Sequence, residues 1–141
     1  MSRRDDLHYP VRRALEKEGW TITHDPIVLG FKDLRLKVDL AAERYLAAEK
    51  EGRKIAVEVK DFDRNAMASE LQKMIGQLQL YEWALEEYSP ERDLYLAVSK
   101  AVYDDYIQDE RTTFHAIVKR KRINLIVCDT SQEVILQWIK Q

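Results

Sequence analysis

The sequence predicts an α/β fold in which helices cover a central mixed β-sheet. Residues 34–40, 53–60 and 94–98 each place apolar side chains at every second position, which is the period of a β-strand. Residues 66–88 instead space their apolar side chains three and four positions apart, which is typical of one long helix. Because strands and helices alternate along the chain, we expect a sheet sandwiched between helical layers.

The remaining elements follow from the same periods and from turn residues. Gly19 ends the first helix, and Asp25-Pro26 ends the first strand because a residue before proline avoids helical geometry. Glu51-Gly52 indicates a turn into the 53–60 strand. In chain order, the remaining predictions are a helix at 5–18, a strand at 20–24, helix or strand at 45–49, helical stretches at 99–108 and 111–121, a strand at 123–128, and strand or short helix at 134–139.

Composition narrows the class of protein. A chain of 141 residues with 45% hydrophobic and 34% charged residues suits one globular domain, residues 1–141. No apolar run approaches the roughly 18 residues of a membrane span, and the N-terminus lacks an apolar signal segment, so we expect a cytoplasmic protein without a membrane partner. The single cysteine, Cys128, lies in an apolar run and is expected to be a buried, inert thiol.

Glu58 and Lys60 share one face of the 53–60 strand, about 6–7 Å apart at ~3.3 Å rise per residue. The pair fits an active site, but taken alone it is better explained as an ordinary exposed salt bridge worth at most about 1 kcal/mol. Asp39, on the 34–40 strand, favours the active-site interpretation, because pairing of the two strands would bring the side chains of Asp39, Glu58 and Lys60 to one end of the sheet. Two carboxylates there suit Mg²⁺, and Lys60 can polarise a water molecule or neutralise a phosphorane-like transition state, as in a phosphodiesterase.

The order Asp39, Glu58-Val59-Lys60, long helix resembles the PD-(D/E)XK nuclease superfamily. That resemblance implies a restriction-endonuclease-like α/β/α sandwich with a central mixed sheet. It also implies that Asp39, Glu58 and the Val59 carbonyl hold Mg²⁺ or Mn²⁺, while Lys60 orients the attacking water. The chain departs from the superfamily pattern before Asp39, where Val38 stands in place of a frequent proline.

Gln77 and Tyr81 in the long helix resemble the Gln-x-x-x-Tyr element of the RecB branch, which makes Gln77 a fourth candidate catalytic residue. Each has a structural alternative: Gln77 can bond neighbouring backbone, and Tyr81 can be a core residue. Members without the proline often carry a glutamate in the first helix, and His8 stands at roughly that place as a metal ligand or a helix-face histidine. Glu70, near the start of the long helix, is expected to be solvated.

Nearly the whole chain resembles one narrower family, the fdxN-element excision controlling factors of cyanobacteria (XisH). The segments that carry this resemblance are Ala-Leu-Glu-Lys-Glu-Gly-Trp-Thr-Ile-Thr-His-Asp-Pro at 14–26, Ala-Ala-Glu-Lys-Glu-Gly-Arg-Lys-Ile-Ala-Val-Glu-Val-Lys at 47–60, Gly-Gln at 76–77, Leu-Tyr-Leu-Ala-Val at 94–98 and Gln-Trp-Ile at 137–139. The resemblance implies an accessory role in excising a DNA element during heterocyst differentiation. It implies two partners, a separate site-specific recombinase and a small companion protein, XisI.

The basic run Lys119-Arg120-Lys121-Arg122 can grip DNA phosphates or simply complement a helix end. The net charge of −2 gives no global attraction to nucleic acid. Three functions therefore stay open: a Mg²⁺-dependent DNA endonuclease, a DNA- or partner-binding module with a vestigial site, and a toxin-like nuclease held by its companion. A homodimer is the assembly to test, because symmetric pairs are the commonest.

Overall fold

A computed structural model describes residues 3–31, 33–38, 40–44 and 52–141. Its helices are α1 (Arg3–Lys17), α2 (Met67–Tyr88), α3 (Lys100–Val102) and α4 (Thr113–Lys121), with a 3₁₀ turn at Arg64–Ala66 and a π-helical turn at Tyr103–Ile107. Its strands are β1 (Thr21–His24), β2 (Ile27–Phe31), β3 (Leu34–Val38), β4 (Leu40–Arg44), β5 (Arg53–Val59), β6 (Arg92–Ser99), β7 (Asn124–Asp129) and β8 (Val134–Ile139).

Six strands form one mixed sheet in the order β1-β4-β5-β6-β7-β8. The three central strands β5, β6 and β7 are parallel, and the connections between them contain α2 and then α3 and α4. The outer pairs β1–β4, β4–β5 and β7–β8 are antiparallel. This arrangement confirms the predicted α/β fold with a mixed sheet. It also brings the ends of β5, β6 and β7 to the same edge of the sheet.

Helices cover both faces of the sheet. On one face, Leu7, Val11 and Leu15 of α1 form a buried cluster with Ile55 and Val57 of β5. On the other face, α2 and α4 form a second cluster with β6 and β7. The sequence suggested that β5 is half-buried, but its Ala56 is completely buried as well. A strand at the centre of a sandwich has helices on both faces, which is why small Ala56 fits opposite α2.

The predicted strand over residues 34–40 is in fact two strands in two sheets. Its first part, β3, pairs antiparallel with β2 to form a separate two-stranded ribbon. Its continuation, β4, enters the main sheet, where Leu40 lies opposite Val57. Strand β2 is not among the strands predicted from the sequence. The residue between β3 and β4, Asp39, lies outside the described residues, as does the 45–49 segment.

The other predictions hold within a few residues at each end. The helix predicted at 66–88 is α2, and the undecided 134–139 segment is a strand, β8, because it pairs with β7. The 99–108 stretch is a short α-helix followed by a π-helical turn. Within the part of the chain that is described, no helix combines the length and the apolar character that a membrane crossing requires.

Aromatic side chains secure α1 to the sheet. Trp20, which follows α1, stacks on Trp138 of β8 with ring centroids 5.5 Å apart. Tyr95 of β6 meets the same Trp138 ring edge-on at 5.2 Å. The Trp138 indole N–H donates to a carboxylate oxygen of Glu18 at 3.0 Å. Together these contacts join α1, β6 and the edge strand β8.

Candidate active site

Glu58 and Lys60 lie at the carboxyl end of β5. The strand ends at Val59, and the Lys60 backbone N–H extends the parallel pairing by donating to the Ala97 carbonyl at 3.2 Å. Side chains alternate along a strand, so Glu58 and Lys60 share the face of Ala56. Ala56 packs in one cluster with Tyr81 of α2. The sequence-predicted pair therefore faces the α2 layer of the sandwich.

The Lys60 ammonium group forms an ion pair with Glu70 of α2. Lys60 Nζ lies 3.4 Å from Glu70 Oε2, and only 16% of the Lys60 side chain is exposed. The same ammonium lies 5.6 Å from the centroid of the Phe62 ring, within the range of a cation–π contact. Lys60 is thus directed into the space between β5 and α2 and not into bulk solvent.

Glu70 is buried beside Lys60, whereas the sequence predicts a solvated side chain. Its relative exposure is 7%. Besides Lys60, its Oε2 accepts a hydrogen bond from the Asp63 backbone N–H at 3.3 Å. Glu70 also lies in the first turn of α2, where the helix dipole stabilises a carboxylate. Its place on the apolar stripe of Met74 and Leu78, at i+4 and i+8, could have indicated that it faces the core.

Glu58 and Val59 are partly buried, and the Oε2 atom of Glu58 is removed from solvent. Asp39, the third residue expected at this site, lies outside the described residues. Among the residues that are described, no three His, Cys, Asp or Glu side chains are placed to share a metal ion. The donor types nevertheless suit Mg²⁺, which binds one or two carboxylates and keeps several waters.

Gln77 and Tyr81 follow Glu70 on roughly the same side of α2, but they differ in burial. Gln77 is seven residues after Glu70, about 10 Å along the helix axis, and it is exposed. No hydrogen bond joins Gln77 to Glu58, Lys60 or Glu70 in the described structure. Tyr81 is buried in the cluster that α2 forms with the β2–β3 ribbon. Its packing agrees with the core alternative considered for Tyr81.

Comparisons with known proteins identify the family. The family model described as XisH protein matches residues 1–136. The chain belongs to the XisH family. A crystal structure of an XisH family protein from Nostoc punctiforme is 40% identical, with a TM-score of 0.84 over 96% of this chain and 100% of that one. A crystal structure of an fdxN element excision controlling factor protein from Anabaena variabilis is 38% identical, with a TM-score of 0.84 over 97% and 100% of the two chains. No curated protein matches significantly.

His8 of this XisH chain belongs to a different cluster. It is fully buried on α1, and its Nε2 lies 2.9 Å from the Asp25 carboxylate. Arg12 donates to the same carboxylate at 2.6 Å. Since α1 and α2 cover opposite faces of the sheet, His8 and Glu70 come from opposite layers. His8 is therefore a partner of Asp25 on the face of the sheet opposite to Glu70.

The basic run of the XisH chain lies at the end of α4, just before β7. Lys121 Nζ is already engaged there, 2.9 Å from Gln79 Oε1 and 3.5 Å from Glu82 Oε2 of α2. Lys119, Arg120 and Arg122 are exposed. Because β5 and β7 are parallel, the start of β7 and the end of β5 lie at opposite edges of the sheet. The run is thus separated from Lys60.

Proposed function

We propose that this XisH protein is a Mg²⁺-dependent, nuclease-type factor that processes DNA while a separate recombinase excises a DNA element. The Anabaena variabilis relative is called an fdxN element excision controlling factor. That name is the reason for proposing that this protein acts in the excision of a DNA element. The observation that carries the proposed chemistry is the direction of Lys60, whose ammonium lies between β5 and α2 beside Glu70. Glu58 lies on the same strand face, so a carboxylate and a cation converge at the end of β5.

Phosphodiester hydrolysis requires an oriented water nucleophile and compensation of negative charge on the phosphoryl oxygens. Lys60 meets both requirements: its N–H groups orient a water, and its charge faces the phosphate. Asp39, Glu58 and the Val59 carbonyl would hold Mg²⁺. When bound, the ion would supply further positive charge at the phosphate and favour deprotonation of water.

Glu70 has a positioning role in this proposal. A lysine side chain has four rotatable carbon–carbon bonds, so a free Lys60 would sample many orientations. The ion pair with Glu70 limits those orientations, and burial of both groups strengthens the attraction relative to an exposed pair. Glu70 itself is fixed by the Asp63 N–H. Glu70 is therefore the group that keeps Lys60 directed at the reaction centre.

The test is cleavage of supercoiled plasmid and branched DNA in Mg²⁺, with EDTA as the blank. Asp39→Asn, Glu58→Gln and Lys60→Met are expected to abolish cleavage while circular dichroism and melting show a folded protein. Lys140→Met is the matched control, because Lys140 is an exposed lysine paired with Asp93 at the start of β6, at the edge of the sheet opposite to the carboxyl end of β5. Cleavage that persists in the Glu58 or Lys60 variants would refute the proposal.

One observation favours a second candidate, a binding module without catalysis. The Lys60–Glu70 pair with its Asp63 hydrogen bond also suits a purely structural tie between β5 and α2. Titration with Mn²⁺, followed by electron paramagnetic resonance, separates the two candidates. A nuclease is expected to bind Mn²⁺ and to lose that binding in Glu58→Gln. A binding module is expected to leave the Mn²⁺ spectrum unchanged.

The proposed partners are tested by adding each of them to the purified protein and measuring DNA cleavage. We expect the XisH protein to act with a small companion of the XisI type and with a site-specific recombinase. If the companion increases DNA processing, the protein is an accessory factor. If the companion suppresses cleavage by the isolated protein, the toxin-like alternative is correct. Light scattering of the protein alone tests the proposed homodimer.

A further inference from the structure

The β2–β3 ribbon has one face against the protein and one face towards solvent. Ile27, Leu29 and Val38 are buried and pack against Tyr81, Ala84 and Leu85 of α2 together with Ala56 of β5. Antiparallel pairing places Val28 opposite Lys37 and Gly30 opposite Arg35. These four residues alternate with the buried ones, so they form the outer face of the ribbon. In agreement, Val28, Arg35 and Lys37 are exposed.

Two cations therefore lie in a row on this outer face. Arg35 and Lys37 are two residues apart on one strand, about 6–7 Å at the usual rise. Gly30 gives Arg35 its space: a methyl group at position 30 would lie 3.6 Å from Arg35 Cγ and 3.2 Å from the Leu34 carbonyl oxygen. The aliphatic part of Arg35 therefore crosses the ribbon above Gly30.

Neither cation is neutralised by the part of the protein that is described. Arg12, Arg64 and Lys100 all form ion pairs, whereas no ion pair joins Arg35 or Lys37 to any side chain that the structure describes. The segment 27–38 contains three basic residues and one acid, in a chain whose net charge is −2. The ribbon is thus a local positive surface on an acidic protein.

We propose that the outer face of the β2–β3 ribbon binds the phosphate backbone of a nucleic-acid duplex. The choice of partner rests on the proposed function. A two-stranded ribbon is narrow enough for the major groove, and unpaired Arg and Lys side chains are the groups that contact phosphates. Val38 at the base of the ribbon packs with Ala56, two residues before Glu58 on the same strand face. A duplex on the ribbon would therefore pass beside the candidate active site.

The experiment measures binding of a fluorescent duplex of about 25 base pairs by anisotropy, in EDTA, at several salt concentrations. Each phosphate contact contributes about 0.9 to the slope of log K against log salt. Arg35→Gln/Lys37→Gln is therefore expected to reduce the slope by about 1.8 and to weaken binding on the order of 50-fold near 0.1 M salt. Arg35→Lys/Lys37→Arg keeps both charges and should retain most of the slope.

The comparison variant is Lys119→Gln/Arg120→Gln, which removes two exposed charges of the basic run at the end of α4. Its slope should fall by less than that of the ribbon variant. If the α4 variant loses slope and the ribbon variant does not, the ribbon proposal is overturned. The ribbon proposal is also overturned if the protein does not bind the duplex but binds acidic lipid vesicles through the ribbon.

Failure of the ribbon proposal is distinguishable from failure of the nuclease proposal. Ribbon-dependent duplex binding without cleavage in Mg²⁺ supports the ribbon and refutes the nuclease. Cleavage with an unchanged salt slope in the ribbon variant supports the nuclease and refutes the ribbon. A protein that neither binds nor cleaves DNA refutes both.

Discussion

Lys60 Nζ and Glu70 Oε2 are 3.4 Å apart, although one residue follows a central strand and the other begins the helix that covers it. The pair joins two layers of the sandwich at the edge where the parallel strands end. Both side chains are mostly buried, so each group depends on the other for compensation of its charge. That dependence makes the pair testable by stability measurements alone, whether or not the protein cleaves DNA.

Glu70→Ala is expected to lower the free energy of unfolding by about 1–3 kcal/mol, because it leaves the Lys60 ammonium partly buried without its counter-charge. Urea denaturation measures the change. Glu82→Ala is the control, since Glu82 lies on the same helix and pairs with Lys121 at 3.5 Å, but is more exposed. In Lys60→Met the loss caused by Glu70→Ala should be smaller. Equal losses in both backgrounds would show that the two residues do not interact.

Asp25 is expected to govern stability in acid. Burial alone would raise the pKa of Asp25, but hydrogen bonds from His8 and Arg12 outweigh it and hold the pKa below its ordinary value. A carboxyl whose folded pKa is depressed stabilises the fold above its unfolded pKa of about 3.9, and this contribution is lost as pH falls through the folded pKa.

Asp25→Asn should therefore be less stable than the unsubstituted protein at pH 7, and the difference should shrink below about pH 4. Urea denaturation from pH 3 to pH 7 measures both effects. Asp33→Asn is the control, because Asp33 is exposed in the ribbon turn. A constant difference across the whole range would contradict the assigned role of the His8 and Arg12 contacts.

Cys128 should be unreactive in the folded protein. The thiol is fully buried on β7, and burial, with smaller contributions from Asp129 and Glu133, raises its pKa to about 11. Thiolates, and not thiols, react with disulfide reagents. At pH 8 a chromogenic disulfide should therefore detect no thiol in native protein and one per chain in urea. Rapid reaction of the native protein would show that β7 opens readily.

Arg122 offers a stabilising substitution. It follows α4 with φ of 58°, in the left-handed region, and its backbone N–H caps the helix by donating to Val118. That conformation costs a non-glycine residue about 1 kcal/mol, so Arg122→Gly should raise the free energy of unfolding by about 0.5–1 kcal/mol. Arg120→Gly removes the same charge inside the helix and should lower it by about 1 kcal/mol. Thermal melting that shows the same sign for both would contradict this assignment.

The sequence predicted the layers of the fold well, because hydrophobic periodicity reports which faces are covered. It predicted less well where two strands meet. Residues 34–40 keep one uninterrupted alternation, yet Val38 belongs to the ribbon and Leu40 to the main sheet. Periodicity gives the direction of side chains but carries no information on the pairing partner. The β2 strand was overlooked because Ile27-Val28-Leu29 is a continuous apolar run without alternation.

The candidate site was predictable only in part. Glu58 and Lys60 share a face because two residues apart on a strand always do, which local sequence determines. Predicting the burial of Glu70 requires knowing which side of α2 meets the sheet, and this depends on tertiary structure. Conversely, the resemblance to the Gln-x-x-x-Tyr element favoured Gln77, but the Gln77 side chain is exposed on α2. Asp39 remains a prediction from sequence.

The burial of the lone thiol has a practical consequence. A surface cysteine would be the single accessible attachment point for a dye, without any need to remove Cys128. Leu34, which is 48% exposed beside the ribbon turn, offers such a position. A fluorophore attached through Leu34→Cys would report, by quenching or energy transfer, when the ribbon approaches another molecule.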